Sequence, residues 1–205
     1  MKIFKNFIDL KIELDNAKNL GFVPTMGGLH KGHISLIKHS KKKCKFTLVS
    51  IFVNPSQFNK KIDFKKYPRN LQKDISILNQ LKVDFLFLPN NKIIYKKKSE
   101  MKINIKKNDK ILCAKYRPGH FEGVLGVINK FLLNIKAKYI FLGKKDFQQI
   151  FLVKKFIDKK FKIKVIECKT MRDKNKVALS SRNYLLTNAD LKNSSIVAKL
   201  LINFK

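Results

Sequence analysis

The segment 24–33, PTMGGLHKGH, limits the possible folds of this chain more than any other, because a glycine-rich turn here joins two different elements. An apolar strand is predicted over residues 20–23 and a helix over residues 34–42. Glycines let the backbone approach a phosphate, and the free N–H groups of a helix start attract anions. His30 and His33 add donors that can follow charge developing on phosphorus. The segment predicts a phosphate or nucleotide site; a structural turn with two surface histidines is the alternative.

Strand and helix patterns alternate along the rest of the chain. Apolar runs typical of parallel strands covered on both faces lie at 45–53, 83–88, 139–142 and 163–167, and a short excursion strand is predicted at 101–105. Helical spacing begins at Phe4 and ends near residue 19, and it returns at 71–81, 121–135, 147–159 and 189–202. This alternation predicts an α/β fold with a Rossmann-like, doubly wound parallel sheet. Ligands of such sheets bind beyond the carboxyl ends of the strands.

Four further polar segments lie where predicted strands end or helices begin. Gln57, after the second strand, is suited to hydrogen-bond a hydroxyl or a carboxylate. Lys145 opens the helix at 147 and is suited to a phosphate, and the turn 179–183 supplies two hydroxyls and the guanidinium of Arg182 for a polyphosphate. The segment RPGHFEG at 117–123 caps a helix, and both a structural and an anion-binding interpretation stay open.

The charge of the chain invites a nucleic-acid interpretation, since the formal net charge is +32. Lysine supplies 42 of the 46 basic residues, however, and the lysines are spread over the whole sequence. Proteins that read bases depend on the planar fork of arginine, and this chain has only 4 arginines. Solvated surface lysine is the preferred interpretation, so no specific nucleic-acid partner is expected beyond weak, salt-sensitive adsorption of RNA.

The cellular compartment is predicted from the apolar runs, the amino-terminal residues and the cysteines of the chain. No apolar run is long enough to cross a bilayer, and the first residues meet Asp9 before an apolar signal segment develops, so no membrane partner is expected. The 3 cysteines, Cys44, Cys113 and Cys168, are far apart and lack metal-ligand spacing. Buried, reduced thiols in a cytoplasmic protein are therefore predicted.

Six short blocks in this order resemble the pantoate–β-alanine ligases (pantothenate synthetases), a family of the HxGH nucleotidyltransferase superfamily. They are PTMGGLHKGH, SIFVNPSQF, YPRN, RPGHFEGV, GKKDFQQ and ALSSRNYL, within residues 20–186. The resemblance implies that pantoate attacks the α-phosphorus of Mg-ATP to give pantoyl adenylate and pyrophosphate. The amine of β-alanine then attacks the acyl carbon, which releases pantothenate and AMP. Another adenylyltransferase of the superfamily and a truncated, non-catalytic RNA-associated protein are the alternatives.

The resemblance also implies which residues form the site. His33 would be the catalytic histidine, assisted by His30, Lys145 and Arg182. ATP would contact Met26, Gly27, Gly28, Leu29, His30, Lys31, Gly32, His33, Gly143, Lys144, Lys145, Asp146, Met171, Leu179, Ser180, Ser181 and Arg182. Gln57, Gln149 and Asn54 would bind pantoate, and Gln57 would also lie near β-alanine. Asp74 would contribute near Mg²⁺, an ion held mainly by phosphates and water.

The chain departs from the family pattern in several places. Lys144 and Lys31 stand where acidic residues are usual or frequent, and Lys176 stands where the family has a glycine. Members of the family continue into a smaller lid domain, which is expected to be largely missing here. The predicted division is a Rossmann-like, nucleotide-binding catalytic domain at 1–168, followed at 169–205 by an ATP-contacting loop and a remnant of the lid. The family precedent also implies a homodimer.

Overall fold

A sheet of six parallel strands forms the centre of the computed structural model, which describes residues 1–96 and 102–204. The strands are β1 (Lys2–Phe4), β2 (Leu20–Thr25), β3 (Phe46–Ile51), β4 (Phe85–Phe87), β5 (Tyr139–Gly143) and β6 (Lys164–Cys168). Their order across the sheet is β1-β4-β3-β2-β5-β6, and each neighbouring pair is parallel. The predicted doubly wound α/β fold is therefore confirmed.

Helices connect the strands and cover the sheet on both sides. They are α1 (Phe7–Leu14), α2 (Lys31–Lys43), α3 (Lys61–Lys66), α4 (Leu71–Gln80), α5 (Asn91–Tyr95), α6 (Cys113–Tyr116), α7 (His120–Leu132), α8 (Phe147–Lys160) and α9 (Asn188–Asn203). Short 3₁₀ turns lie at Pro55–Gln57, Lys107–Asp109, Lys144–Asp146 and Ser181–Leu185. Among the helices of the described residues, none is both long and apolar enough to cross a membrane.

The core consists of two apolar layers, one on each face of the sheet. Successive residues of a strand point to opposite faces, so Phe22 of β2 packs in the layer under α1, α7 and α8, whereas Val23 packs in the layer under α2 and α4. Both side chains are fully buried. Strands buried on both faces explain why the sequence shows continuous apolar runs instead of alternation.

The amino-terminal prediction was wrong in part. Residues Lys2–Phe4 form the edge strand β1, which pairs with β4, and not the start of a helix. Helix α1 begins only at Phe7, because the Asn6 side chain caps it by accepting the N–H groups of Ile8 and Asp9. The predicted excursion strand falls partly on Met101, which lies outside the described residues, and residues 102–105 are irregular. Cys44 and Cys168 are buried as predicted, but Cys113, at the start of α6, is exposed.

The order of the strands brings two loops together. The chain leaves β2 toward β3 on one side and later returns to β5 on the other side of β2, so the strand order reverses between β2 and β5. Such a switch point opens a crevice beyond the strand ends. The segments that follow Thr25 and Gly143 both emerge there, as does the segment after Ile51, which is paired with Thr25. Strand β6 ends at Cys168, and the proposed domain division after that residue stays a prediction.

Candidate active site

Two glycines and one aspartate fix the turn that follows β2. Gly27 and Gly28 have φ angles of +77° and +61°, a left-handed conformation that costs little only for glycine. The buried carboxylate of Asp74, on α4, accepts the N–H of Gly28 at 2.9 Å through Oδ2 and that of Leu29 at 2.8 Å through Oδ1. The sharp turn therefore holds its shape, although the aspartate lies 46 residues beyond Gly28 in the sequence.

The two histidines of the turn form a reciprocal cap at the start of α2. Nδ1 of His30 accepts the N–H of Gly32 at 3.0 Å, and Nδ1 of His33 accepts the N–H of His30 at 3.3 Å. A neutral imidazole that accepts at Nδ1 carries its proton on Nε2, so each ring keeps one N–H donor for a ligand. A Cβ atom on Gly32 would lie 2.7 Å from Cε1 of His30, and glycine therefore leaves room for that ring.

Burial keeps both imidazoles neutral. The pKa of His33 is lowered from 6.5 to about 3, mainly by burial and further by the neighbouring charges of His30 and Lys145. The pKa of His30 is also lowered, by burial and then by Lys145. At neutral pH the pair therefore offers two uncharged N–H donors.

The lowered pKa of His33 predicts a pH dependence of stability. Because the folded protein resists protonation of this ring, the unfolded chain binds the proton first as the pH falls below 6.5, and stability declines toward the folded pKa of about 3. Substituting His33→Asn removes the titratable ring but keeps an oxygen that can accept the N–H of His30. Chemical denaturation of both proteins between about pH 7 and pH 4 is expected to show a steeper loss for the wild type. Parallel curves would contradict the prediction.

A cavity of about 220 Å³ lies at the switch point and gathers residues from five distant segments, 24–36, 52–67, 124–131, 141–153 and 169–182. The predicted site residues that line it are Met26, His30, Gly32, His33, Gln57, Gly143, Lys145, Asp146, Gln149, Met171, Leu179, Ser180, Ser181 and Arg182. Imidazole, amide, ammonium and guanidinium groups thus converge on one pocket. Such a set provides donors and positive charge for an anionic ligand and amides for a polar one.

One wall of the pocket is apolar and comes mainly from α7. Val124, Val127, Ile128 and Phe131 line it at helical spacing, together with Phe52. The sequence analysis predicted the helix but not this function of its face. The spacing of these residues was the available signal, but it is equally typical of a helix that only covers a core.

Arg182 is held at the pocket by a residue that the sequence analysis missed. Its Nε and Nη2 atoms donate to Oδ1 and Oδ2 of Asp63, each at 2.9 Å. This pair lowers the pKa of Asp63 and raises that of Arg182, chiefly through the hydrogen bonds between them. Next to it, Oγ of Ser181 donates to the carbonyl of Gly28 at 3.0 Å and so ties the 180–182 segment to the glycine turn.

Comparisons with known proteins decide the family. The family model described as pantoate–β-alanine ligase matches residues 2–205. The pantothenate synthetase of Francisella philomiragia is 45% identical over 202 residues, which are 98% of this chain and 77% of that protein. The chain belongs to the pantoate–β-alanine ligase family. The pantothenate synthetase of Pseudothermotoga lettingae is 41% identical over 93% of this chain and 69% of its own length.

Solved structures of other pantoate–β-alanine ligases have the same fold. The Francisella tularensis enzyme, crystallised in complex with beta-gamma ATP and β-alanine, superposes with a TM-score of 0.94 at 42% identity, covering 99% of this chain and 80% of that one. The pantothenate synthetase of Thermus thermophilus gives a TM-score of 0.93 at 32% identity, over 98% of this chain and 74% of the other. The fold of these ligases is therefore shared by nearly the whole of this chain.

The other predicted site residues of this ligase lie outside the cavity lining formed by the described residues. They are Gly27, Gly28, Leu29, Lys31, Asn54, Asp74 and Lys144. Asn54 is buried, and its amide donates to the carbonyl of Gly123 at 3.1 Å while its oxygen accepts from Ser56 and Tyr95. Lys144 is exposed and pairs with Glu167 at 3.4 Å. Their contacts with ligands stay predictions, but Asn54 and Asp74 shape the loops from which other residues reach the pocket.

The RPGHFEG segment packs against the loop that carries Gln57. Nδ1 of His120 donates to the carbonyl of Gln57 at 2.6 Å, and Nδ2 of Asn59 donates to the carbonyl of Pro118 at 2.7 Å. With the bond from Asn54 to Gly123, these contacts fix the Gln57 backbone on the amino-terminal end of α7. They support the structural interpretation of this segment in the ligase.

Lys176 stands at the position where the family resemblance implies a glycine, and its backbone conformation suits glycine better than lysine. Lys176 has a φ angle of +70°, in the left-handed region that disfavours side chains. It lies in a tight turn between Arg172 and Ala178, which form an isolated antiparallel bridge. The turn is therefore kept despite the lysine, at a conformational cost that the family's usual residue avoids.

Proposed function

We propose that this protein condenses pantoate with β-alanine in an ATP-dependent reaction through pantoyl adenylate, releasing pyrophosphate, AMP and pantothenate. One observation carries the proposal. In a chain of this family, His33, Gln57, Lys145 and Arg182 line a single pocket at the switch point of the sheet. The Francisella tularensis relative was crystallised with beta-gamma ATP and β-alanine, which supports the same ligand classes here.

The first step joins a pantoate carboxylate oxygen to the α-phosphorus of ATP and breaks the bond from that phosphorus to pyrophosphate. Negative charge shifts onto the phosphoryl oxygens during the step. The Nε2–H groups of His30 and His33 are the fixed donors to that charge, while Lys145 and Arg182 neutralise the phosphates. Because the pKa of His33 is about 3, the ring is a very weak base, and it acts by electrostatic stabilisation instead of proton transfer.

The acid-binding half of the pocket combines amides with the apolar wall. Gln57 and Gln149 line the pocket, and their amides can hydrogen-bond the hydroxyl and carboxylate oxygens of pantoate. The two methyl groups of pantoate match the apolar surface of Val124, Val127 and Phe131. In the second step the β-alanine amine attacks the acyl carbon, a C–N bond forms, and the C–O bond to AMP breaks.

Magnesium fits this site only as an ion that arrives with the nucleotide. Among the described residues, no cluster of three or more His, Cys, Asp or Glu side chains is placed to hold a metal. Both oxygens of Asp74, the predicted contributor, already accept backbone N–H groups. We therefore assign Mg²⁺ to the phosphates and water, where it would supply positive charge, and leave to Asp74 the shaping of the turn.

The test is a reconstituted reaction with stepwise omission of substrates. With ATP, Mg²⁺, pantoate and β-alanine, we expect one AMP for each pantothenate formed. Exchange of labelled pyrophosphate into ATP is expected to need pantoate but not β-alanine, since the adenylate forms first. Exchange without pantoate, or faster exchange with an unrelated carboxylate, would identify a different adenylyltransferase.

A further inference from the structure

The guanidinium of Arg182 is held along one edge by an ion pair and lies close to two aromatic rings. Asp63, on α3, accepts from Nε and Nη2 in a bidentate pair, with both distances 2.9 Å. The centre of the guanidinium also lies 5.1 Å from the ring centroid of Tyr67 and 5.6 Å from that of Phe58. A planar group with these partners has little freedom to rotate, and a lysine could not reproduce the geometry.

One edge of the guanidinium is left over. Within residues 1–96 and 102–204, the hydrogen bonds of the Arg182 side chain use Nε and Nη2, and none uses Nη1. Arg182 lines the cavity together with His33 and Lys145, whereas Asp63 does not line it. Asp63 therefore accepts two of the five guanidinium N–H groups, and the two N–H groups of Nη1 and the second N–H of Nη2 are left for an anion in the pocket.

The pair contributes more to orientation than to stability. The side chains of Arg182 and Asp63 are 40% and 34% exposed, and solvent screens a pair of that exposure strongly. The pair nevertheless links the segment 63–67, which begins on α3, to the 3₁₀ turn Ser181–Leu185. The Tyr67 hydroxyl, 3.5 Å from Oγ of Ser181, connects the same two segments.

We infer that Asp63 is a positioning residue, which holds Arg182 so that Nη1 faces the phosphates of the nucleotide. The inference rests on the proposed function in one respect, namely that the anion in the pocket is ATP. Asp63 itself does not touch the reacting atoms. Its effect on catalysis passes entirely through the guanidinium, and this makes the inference testable by combining substitutions.

The experiment measures ATP affinity and turnover in Asp63→Ala, Asp63→Asn, Arg182→Ala and the double variant Asp63→Ala/Arg182→Ala. We expect Asp63→Ala to weaken ATP binding and raise KM for ATP by about tenfold, the effect of losing one well-placed charged hydrogen bond. KM for pantoate and β-alanine should stay within about twofold. In the Arg182→Ala background, removing Asp63 should have no further effect.

Asp109→Ala is the matched control. Asp109 also forms a two-oxygen pair with a cation, Lys155, at 2.7 Å to each oxygen, but neither residue lines the cavity. This variant removes the same charge and a comparable pair, so its KM for ATP should match the wild type. Asp63→Asn keeps the side-chain shape and serves as the second variant if the alanine variant does not fold.

Three results would overturn the inference. An unchanged KM for ATP in a folded Asp63 variant would exclude positioning. Tighter ATP binding would show that Asp63 competes with the phosphates for Arg182. A further loss in the Arg182→Ala background would show that Asp63 acts through another group. ATP binding measured by calorimetry does not depend on turnover. If the wild type made no pantothenate but Asp63→Ala still weakened ATP binding, the inference would be supported and the proposed function would have failed.

Discussion

Replacing His33 with asparagine is expected to remove nearly all pantothenate synthesis while α2 stays folded. The asparagine Oδ1 can take the place of Nδ1 and accept the N–H of His30, which now lies 3.3 Å from Nδ1. No donor remains at the position of Nε2, so the charge on the α-phosphate loses a fixed partner. Loss of one such donor lowers kcat by about 10²–10³. Single-turnover formation of pantoyl adenylate, with quenching after defined times, measures the step directly.

The complementary variant is His33→Gln, whose amide nitrogen reaches the position of Nε2 but leaves the N–H of His30 unpaired. We expect it to keep more adenylate formation than His33→Asn, and to lose about 1 kcal/mol of stability with the cap. The two variants thus separate capping from catalysis. If His33→Asn turned over within about tenfold of the wild type, the donor role would be wrong. Equal losses in both variants would point to the packing of the ring instead.

The predictable part of the fold is the part encoded locally. Continuous apolar runs and helical spacing in short windows predicted the strands β2 to β6 and the helices α2, α4, α7, α8 and α9. The short helix α3 was not predicted, because residues 54–69 were expected to form a long loop. Strand β1 was not predictable in this way, since a short strand at the edge of the sheet is defined by its pairing with β4, far along the chain. Helix α1 was predicted too early for the same reason, because the apolar side chain of Phe4 fits either pattern.

The candidate site divides in the same manner. Residues beside glycines and strand ends, such as His30, His33 and Lys145, were predictable because backbone geometry and chemistry coincide within a few positions. Asp63 was not, since its importance depends on a partner 119 residues away in the sequence. Asp74 was named only as a contributor near the metal ion. Spacing could not reveal its two hydrogen bonds to the glycine turn, because they exist only once α4 is packed beside β2.

Asp74 is expected to give the second large effect, on stability and turnover together. Asp74→Ala would leave the half-buried N–H of Gly28 and the buried N–H of Leu29 without their present acceptor. Each unsatisfied group costs about 1–3 kcal/mol, so the free energy of unfolding should fall by about 2–6 kcal/mol. Since the same turn places His30 and His33, kcat should fall by at least about tenfold in the protein that remains folded. Chemical denaturation and steady-state assays at saturating ATP measure the two effects.

The control is Asp84→Asn. The carboxylate of Asp84 also accepts a backbone N–H, that of Thr47 at 2.8 Å, but Asp84 does not line the cavity. It should lower stability and leave kcat unchanged.

Asp74→Asn then separates the two roles considered for Asp74. It keeps one acceptor for the turn and removes the charge that a metal ion would need, so a turn-holding role predicts an unchanged Mg²⁺ concentration for half-maximal activity. A several-fold rise in that concentration, with the turn intact by ATP-free stability measurements, would instead place Asp74 beside the ion.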